Sequence, residues 1–182
     1  MLKKGLLATA ITCFALPAFA AETEELKHFS VGVASYATTL RAETYYGSDD
    51  LDFGGFAVFG TGAINDNVGF RLTYADQDSD NVSDLESTAV EGSLIAGTGL
   101  ATSGFKAYGS VGFFRETWEV SGFSGEEDFS GLMLGAGIGY NWSPVSLELW
   151  VNLRDASDYE DFAGSGVDIT AASGGLGLSA RF

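Results

Sequence analysis

Cysteine, histidine and proline are nearly missing from this 182-residue chain, which has one cysteine (Cys13), one histidine (His28) and two prolines (Pro17 and Pro144). That leaves no disulfide framework and no histidine cluster with metal-ligand spacing. Cations are scarce too, with nine lysines and arginines against 25 acids for a net charge of −16. DNA, RNA and bare anionic headgroups would each meet a like-signed field. No interior stretch approaches the roughly 20 uninterrupted apolar residues of a membrane helix. Yet the mean hydropathy is positive (+0.13), and the composition is 46% hydrophobic and 13% aromatic, which excludes disorder. Glycine is what the chain has in excess: 25 of 182 residues, about twice the ordinary 7%, without a collagen period. The length suits one domain in which regular structure needs many small residues.

Residues 1–20 read as a signal peptide. Lys3 and Lys4 precede an apolar run from Gly5 to Leu16, then Pro17 and Ala18-Phe19-Ala20, with small residues at the two positions the peptidase reads. Cleavage after Ala20 makes Ala21 the first mature residue; cutting one residue later would put Phe19 where a small side chain is wanted. The rival reading, a lipoprotein acylated on Cys13, is disfavoured because Thr12 is too large for a good lipobox. Removing the signal leaves no cysteine and, with Lys3 and Lys4 gone, seven basic against 25 acidic residues, a net charge of −18.

The remainder, 21–182, reads as strands from end to end. Period-two alternation marks segments near 28–40, 51–63, 67–76, 87–101, 105–118, 129–142, 145–155 and 167–182. In the seventh, Val145, Leu147, Leu149, Val151 and Leu153 alternate with Ser146, Glu148, Trp150, Asn152 and Arg154. In the second, Phe53 and Phe56 fall on opposite parities, so its facing is ambiguous. Short turns (Asn65-Asp66-Asn67, Thr102-Ser103-Gly104, Asn141 to Pro144) alternate with long polar connections (Arg41 to Asp50, Gln77 to Glu86, Glu119 to Asp128, Ala156 to Gly166). The non-apolar face is mostly Gly, Ser, Ala and Thr rather than the ionised residues of a water-facing surface. These features predict an all-β fold, an eight-stranded antiparallel up-and-down transmembrane β-barrel with its small residues packed in a narrow lumen and its apolar face on lipid. Phe29, Phe105, Tyr140, Trp142 and Phe182 near the turn end, with Tyr74 and Phe113 toward the loop end, fit two interfacial aromatic girdles.

In the last strand Leu176, Leu178, Ala180 and Phe182 share one parity, and alternating apolar residues ending in a terminal Phe resemble the assembly signal of bacterial outer-membrane barrels. With the signal peptide and the eight strands, the chain is similar in layout to the OmpA membrane domain and to OmpX-like and opacity-type proteins. The resemblance spans the mature chain and rests on architecture, not on a family motif. It implies location in the outer membrane of a Gram-negative bacterium, contact with lipid and lipopolysaccharide, insertion by the barrel-assembly machinery, and a monomer. Because the chain stops at Phe182, a periplasmic peptidoglycan-binding domain is not expected. Some small outer-membrane barrels are lipid A hydrolases or acyltransferases that need a His near a Ser at the outer rim. Here His28 falls at the periplasmic end, so neither an enzyme nor a cofactor is expected.

Charges within the strands must find partners in a narrow lumen. If the third and fourth strands pair symmetrically about Asn81, Arg71 lies opposite Glu91, and Glu148 can join them. That lumenal network reads first as a salt-bridged plug and second as a gate. Most acids lie in or beside the long connections, opposed by Arg41, Arg115 and Arg154. The run Asp76-Gln77-Asp78-Ser79-Asp80-Asn81 starts like a calcium loop but has Asn81 where glycine is expected and Ser87 at the twelfth position. Divalent cations are therefore expected as diffuse partners at most. Two functions stay open: a structural or surface-interaction barrel displaying acidic loops, and a narrow porin-like channel for ions or small solutes. The channel is suggested by the inner glycines Gly135, Gly137, Gly139, Gly175 and Gly177.

Overall fold

A computed structural model describes residues 26–182 apart from 46, 83, 121–124 and 165. The signal segment, with the cleavage site at Ala20 and Ala21, lies outside the described residues. Eight strands and one short helix follow in order: β1 (Phe29–Thr44), β2 (Gly47–Ala63), β3 (Val68–Ser79), β4 (Leu85–Thr98), β5 (Gly104–Val120), β6 (Glu126–Asn141), β7 (Val145–Arg154), α1 (Ser157–Ala163) and β8 (Asp168–Arg181). Each strand pairs antiparallel with the next, and β8 returns to β1, closing a barrel. The seam runs from Ser30 opposite Arg181 to Glu43 opposite Asp168. Beyond it Phe29 and Phe182 exchange backbone hydrogen bonds of 3.2 and 2.8 Å. Closure is what lipid demands, because hydrocarbon offers no water to an unpaired strand edge.

The alternation sets which side chains meet lipid. On β7, Leu147, Leu149, Val151 and Leu153 are exposed on the outer surface, while Ser146, Glu148, Trp150, Asn152 and Arg154 are buried in the lumen. β2 resolves in the same way: Phe53 and Phe59 point in and Phe56 points out. Both parities carry aromatics there because the lumen accepts rings wherever a facing glycine leaves room. A Cβ on Gly137 would stand 2.3 Å from the Tyr108 ring, and one on Gly177 would stand 2.6 Å from Phe59. The inner glycines therefore do not line open space: Gly137, Gly175 and Gly177 accommodate aromatic rings, and Gly135 and Gly139 stand against Asn152, Glu148 and the β7 backbone.

The turn end is sealed from below. Residues 99–103 fold inward and bury Leu100 and Ala101. Asp66 holds this turn by accepting hydrogen bonds from the backbone N–H groups of Gly99 (3.1 Å), Ala101 (3.1 Å) and Thr102 (3.0 Å) and from the Thr102 hydroxyl (2.8 Å). Asn141 donates to the Gly99 and Thr102 carbonyls, and Arg181 donates to those of Ala101, Thr102 and Trp142. His28 donates from Nδ1 to the Ala63 carbonyl at 2.8 Å, a turn-side structural role.

The opposite end departs from expectation. Three of the four connections read as long loops carry strand in from both sides: β1 runs to Thr44 and β2 begins at Gly47, β3 runs to Ser79 and β4 begins at Leu85, and β5 runs to Val120 and β6 begins at Glu126. Polar strands form there because they project past the hydrocarbon, where alternation of apolar residues is no longer needed. The calcium-like run lies mostly on β3, where Gln77 turns into the lumen while Asp76 and Asp78 face outward, so its oxygens do not converge. The fourth connection contains α1. Because β7 pairs no further than Met133 on β6 and Ala171 on β8, its neighbours rise above it and leave a notch in the wall. The α1 region fills that notch. Asp155 donates its backbone N–H to the Leu132 carbonyl, Asp158 accepts from the Ser130 N–H (2.9 Å) and Glu160 accepts from the Ile169 N–H (3.0 Å).

Two outcomes follow from this arrangement. Leu149→Arg, at a lipid-facing site, should cost about 2–4 kcal/mol, whereas Asn152→Ala, which loses one lumenal hydrogen bond, should cost about 1 kcal/mol; urea unfolding of both variants in lipid vesicles measures the difference. Asp66 carries a pH signature. Its partial burial opposes ionisation, but the hydrogen bonds from Thr102, Ala101 and Gly99 outweigh that and hold its carboxyl below the ordinary value. A depressed folded pKa adds stability that is present above the unfolded value of about 4 and is lost as pH falls through the lower folded value. Asp66→Asn should therefore destabilise by about 1 kcal/mol at pH 6, a figure reduced for the half-exposed setting, and by nothing near pH 2.

Candidate functional site

The polar interior of the barrel is a site built from many strands. It holds four cations, Arg71, Lys106, Arg154 and, at the turn end, Arg181, and three anions, Glu91, Glu116 and Glu148, all buried. Apart from Arg181 they divide into two tiers. In the tier nearer the turns, Glu148 accepts from Arg71 at 2.7 Å and pairs with Lys106 at 3.0 Å. Tyr108 receives a 2.6 Å hydrogen bond from Arg71 and donates to Glu148 at 3.2 Å. Thr61 and Ser146 accept further hydrogen bonds from Arg71 and Lys106. The Arg71 guanidinium is also ringed by Phe59, Tyr108 and Trp150, each with its ring centre about 5 Å away.

The tier nearer the hairpins is centred on Arg154, which bridges Glu91 and Glu116 at 2.8 Å each. Tyr36 (2.5 Å) and Ser173 (3.1 Å) donate to Glu91, and Asn152 adds a bond of 3.3 Å. Ser87 and Tyr159 donate to Glu116. Above this tier, Phe53, Trp118, Phe129 and Phe162 gather with Tyr159, with Phe129 stacked on Tyr159 at 4.6 Å between ring centres. Three plugs therefore stack along the axis: the inward turn, the two ionic tiers and the aromatic cap.

Arg71, Glu91 and Glu148 all face the lumen, but the expected cross-strand pair is absent. Arg71 lies opposite Ser93, and Glu91 lies opposite Thr73. The hairpin turns about a point one residue later than Asn81, with Asp84 in the left-handed region (φ 65°), and each partner moves by two positions. A two-residue shift preserves facing and changes only the pairing. The ion pairs instead reach across the lumen, from β3 to β7 and from β4 and β5 to β7. Two further members, Glu116 and Arg154, come from strand ends beside the long connections. The parity of Arg154 with Glu148 already signalled its lumenal side, and Glu116 shares the parity of Lys106 on β5. Tyr159 carried no such signal, because it enters the lumen from α1. Outside the lumen, Arg41 with Asp50 (3.8 Å) and Arg115 with Asp128 (2.8 Å) form exposed pairs of small energetic weight. Among the described residues no group of three or more His, Cys, Asp or Glu side chains could hold a metal ion.

On the last strand, Leu176, Leu178, Ala180 and Phe182 all face outward, so this stretch offers a continuous apolar face.

Known proteins place this architecture. No curated protein matches the chain in sequence. Among solved structures, Ail, the attachment invasion locus protein of Yersinia pestis, superimposes with a TM-score of 0.52 at 17% identity, over 86% of this chain and all of that one. Neisserial surface protein A gives 0.54 at 17% identity over 85% and 97% of the two chains. OprG of Pseudomonas aeruginosa gives 0.54 at 13% identity over 87% and 97%. At these identities the likeness is one of fold. The family description "Outer membrane protein beta-barrel domain" matches residues 6–182. With its closed eight-stranded wall, outward apolar band and nearly full-length family match, the chain belongs to the outer membrane protein beta-barrel domain family and resides in the bacterial outer membrane.

Proposed function

We propose that this protein is a non-conducting structural and surface-interaction barrel that holds acidic hairpins outside the cell. The observation that carries the reading is the continuous filling of the lumen from the Leu100-Ala101 turn through both ionic tiers to the aromatic cap around Tyr159. An eight-stranded wall leaves room only for packed side chains, and here Arg71, Lys106 and Arg154 pair with three buried carboxylates while Arg181 is held by carbonyls of the inward turn. A solute would have to break several buried ion pairs at once, each costly to leave half-made. In this reading the network fixes the barrel rather than gating it. The hairpins carry the acidic excess, including Glu43, Asp49, Asp78, Glu119 and Glu127, and attract divalent cations diffusely.

The same reading includes export with cleavage after Ala20, delivery by the barrel-assembly machinery with residues 176–182 as its recognition strand, and a monomer surrounded by lipid and lipopolysaccharide. No step of it calls for catalysis.

Planar-bilayer recording tests the plug. The wild-type protein should show no stepwise conductance. Arg71→Ala and Glu148→Ala should stay silent while losing about 3–5 kcal/mol of stability, because Phe59, Tyr108 and Trp150 and the second tier still obstruct the axis. Discrete openings in the wild type would favour the channel. Tyr45, at the tip of the first hairpin and 95% exposed, tests display. With no other cysteine in the mature chain, Tyr45→Cys should react with a membrane-impermeant maleimide on intact cells, and labelling only after lysis would reverse the orientation.

A further inference from the structure

Above the Glu116–Arg154 pair the lumen widens into a cavity of about 230 Å³ at the hairpin end. Leu40, Leu51 and Ile169 supply aliphatic walls, and Trp118 and Phe162 supply aromatic ones. Asp49 and Asp50, near the start of β2, complete the lining. Asp50 shares Arg41 with Glu43, at 3.8 and 3.4 Å, whereas Asp49 has no ion-pair partner among the described residues. The Trp118 indole N–H is buried with no acceptor among the described residues. The cavity thus joins an apolar body, aromatic faces and an uncompensated carboxylate, a combination that the lumenal plug does not require.

We propose that this cavity is a binding site for a small organic cation, an ammonium group carried on an apolar body about the size of one ring. Its chemistry selects such a molecule in three ways. Aromatic faces attract a cation placed within about 6 Å of the ring, and the attraction grows on desolvation. Asp49 supplies a counter-charge at the mouth, within an acidic outer surface that concentrates cations and repels anions. The volume lies below the roughly 300–1,000 Å³ of sites for drug-sized ligands, which limits the occupant to a small one. Tyr159, anchored beneath by its hydrogen bond to Glu116, closes the cavity floor, so the ligand binds and leaves by the same mouth. This goes beyond surface display and does not depend on which way the barrel faces, since the cavity belongs to the folded barrel itself.

The test uses the mature protein in zwitterionic nanodiscs, with 2-phenylethylammonium as the probe, 2-phenylethanol and 3-phenylpropionate as neutral and anionic comparators, and empty nanodiscs as the partition blank. Calorimetry should show saturable binding of the ammonium, at least about tenfold tighter than that of the carboxylate, with a change in tryptophan fluorescence that disappears in Trp118→Phe. Asp49→Asn should weaken the ammonium about five- to tenfold and leave the alcohol unchanged. Phe162→Ala, at an exposed position, should weaken both. Each variant is scored only if its unheated form still migrates faster than its boiled form on a detergent gel. Equal affinity for the cation and the anion, binding indifferent to Asp49→Asn, or no saturable binding at all would overturn the proposal. A conducting barrel that still binds the probe would overturn the plug and leave this site standing.

Discussion

A cylinder of eight strands is too narrow to hold bulk water, and that single constraint governs the interior. Every inward ion must meet a partner supplied by the protein, because an unpaired charge there is costly. The pairing of Arg71, Lys106 and Arg154 with three carboxylates follows from it, as do the carbonyls that receive Arg181 and the tyrosine hydroxyl that donates to each carboxylate. The glycines follow too. Tyr108, Trp150 and Phe59 can lie across the axis only because Gly137, Gly175 and Gly177 face them without a side chain. Packing and electrostatics are thus two aspects of the same narrowness.

The constraint on the wall is the complement of that on the interior. Hydrocarbon cannot solvate a free N–H or C=O, so the ladder closes on itself. Where β7 falls short of its neighbours, carboxylates take over the task of the missing strand. Asp158 and Glu160 receive N–H groups from β6 and β8, and the aromatic face of α1 covers the opening from inside. A helix of seven residues has little stability of its own; it persists here because both of its flanks are tied to the wall.

Facing was legible from the chain alone because the strand period is two and the two solvents, lipid and packed lumen, differ sharply. Val68, Phe70, Leu72 and Tyr74 could be assigned to the lipid side by alternation, and Arg71 to the interior by the same rule. Register was not legible. It depends on where a polar hairpin turns, and the turn near Asp84 offered no glycine or Asn-Gly signal. Hence Arg71 was matched with Glu91 on the adjacent strand, when its partner is Glu148 across the barrel. Polar composition also concealed the outer strand extensions, since past the membrane both faces of a strand meet water and the alternation fades. Glu116, beside such an extension, was not distinguishable by composition from the outer acids, and Tyr159 enters from a helix that only tertiary contacts stabilise.

The ion pairs join residues far apart in the chain: 77 positions separate Arg71 from Glu148, and 63 separate Glu91 from Arg154. None of them can form while a hairpin stands alone, so the ion pairs contribute nothing to early folding and their reward arrives only as the barrel closes. Until then each nascent hairpin carries bare guanidinium or carboxylate groups toward a nonpolar medium. Partly assembled sheets are thereby penalised as resting states, and a barrel so built has every reason to finish in one cooperative step or remain at the membrane surface.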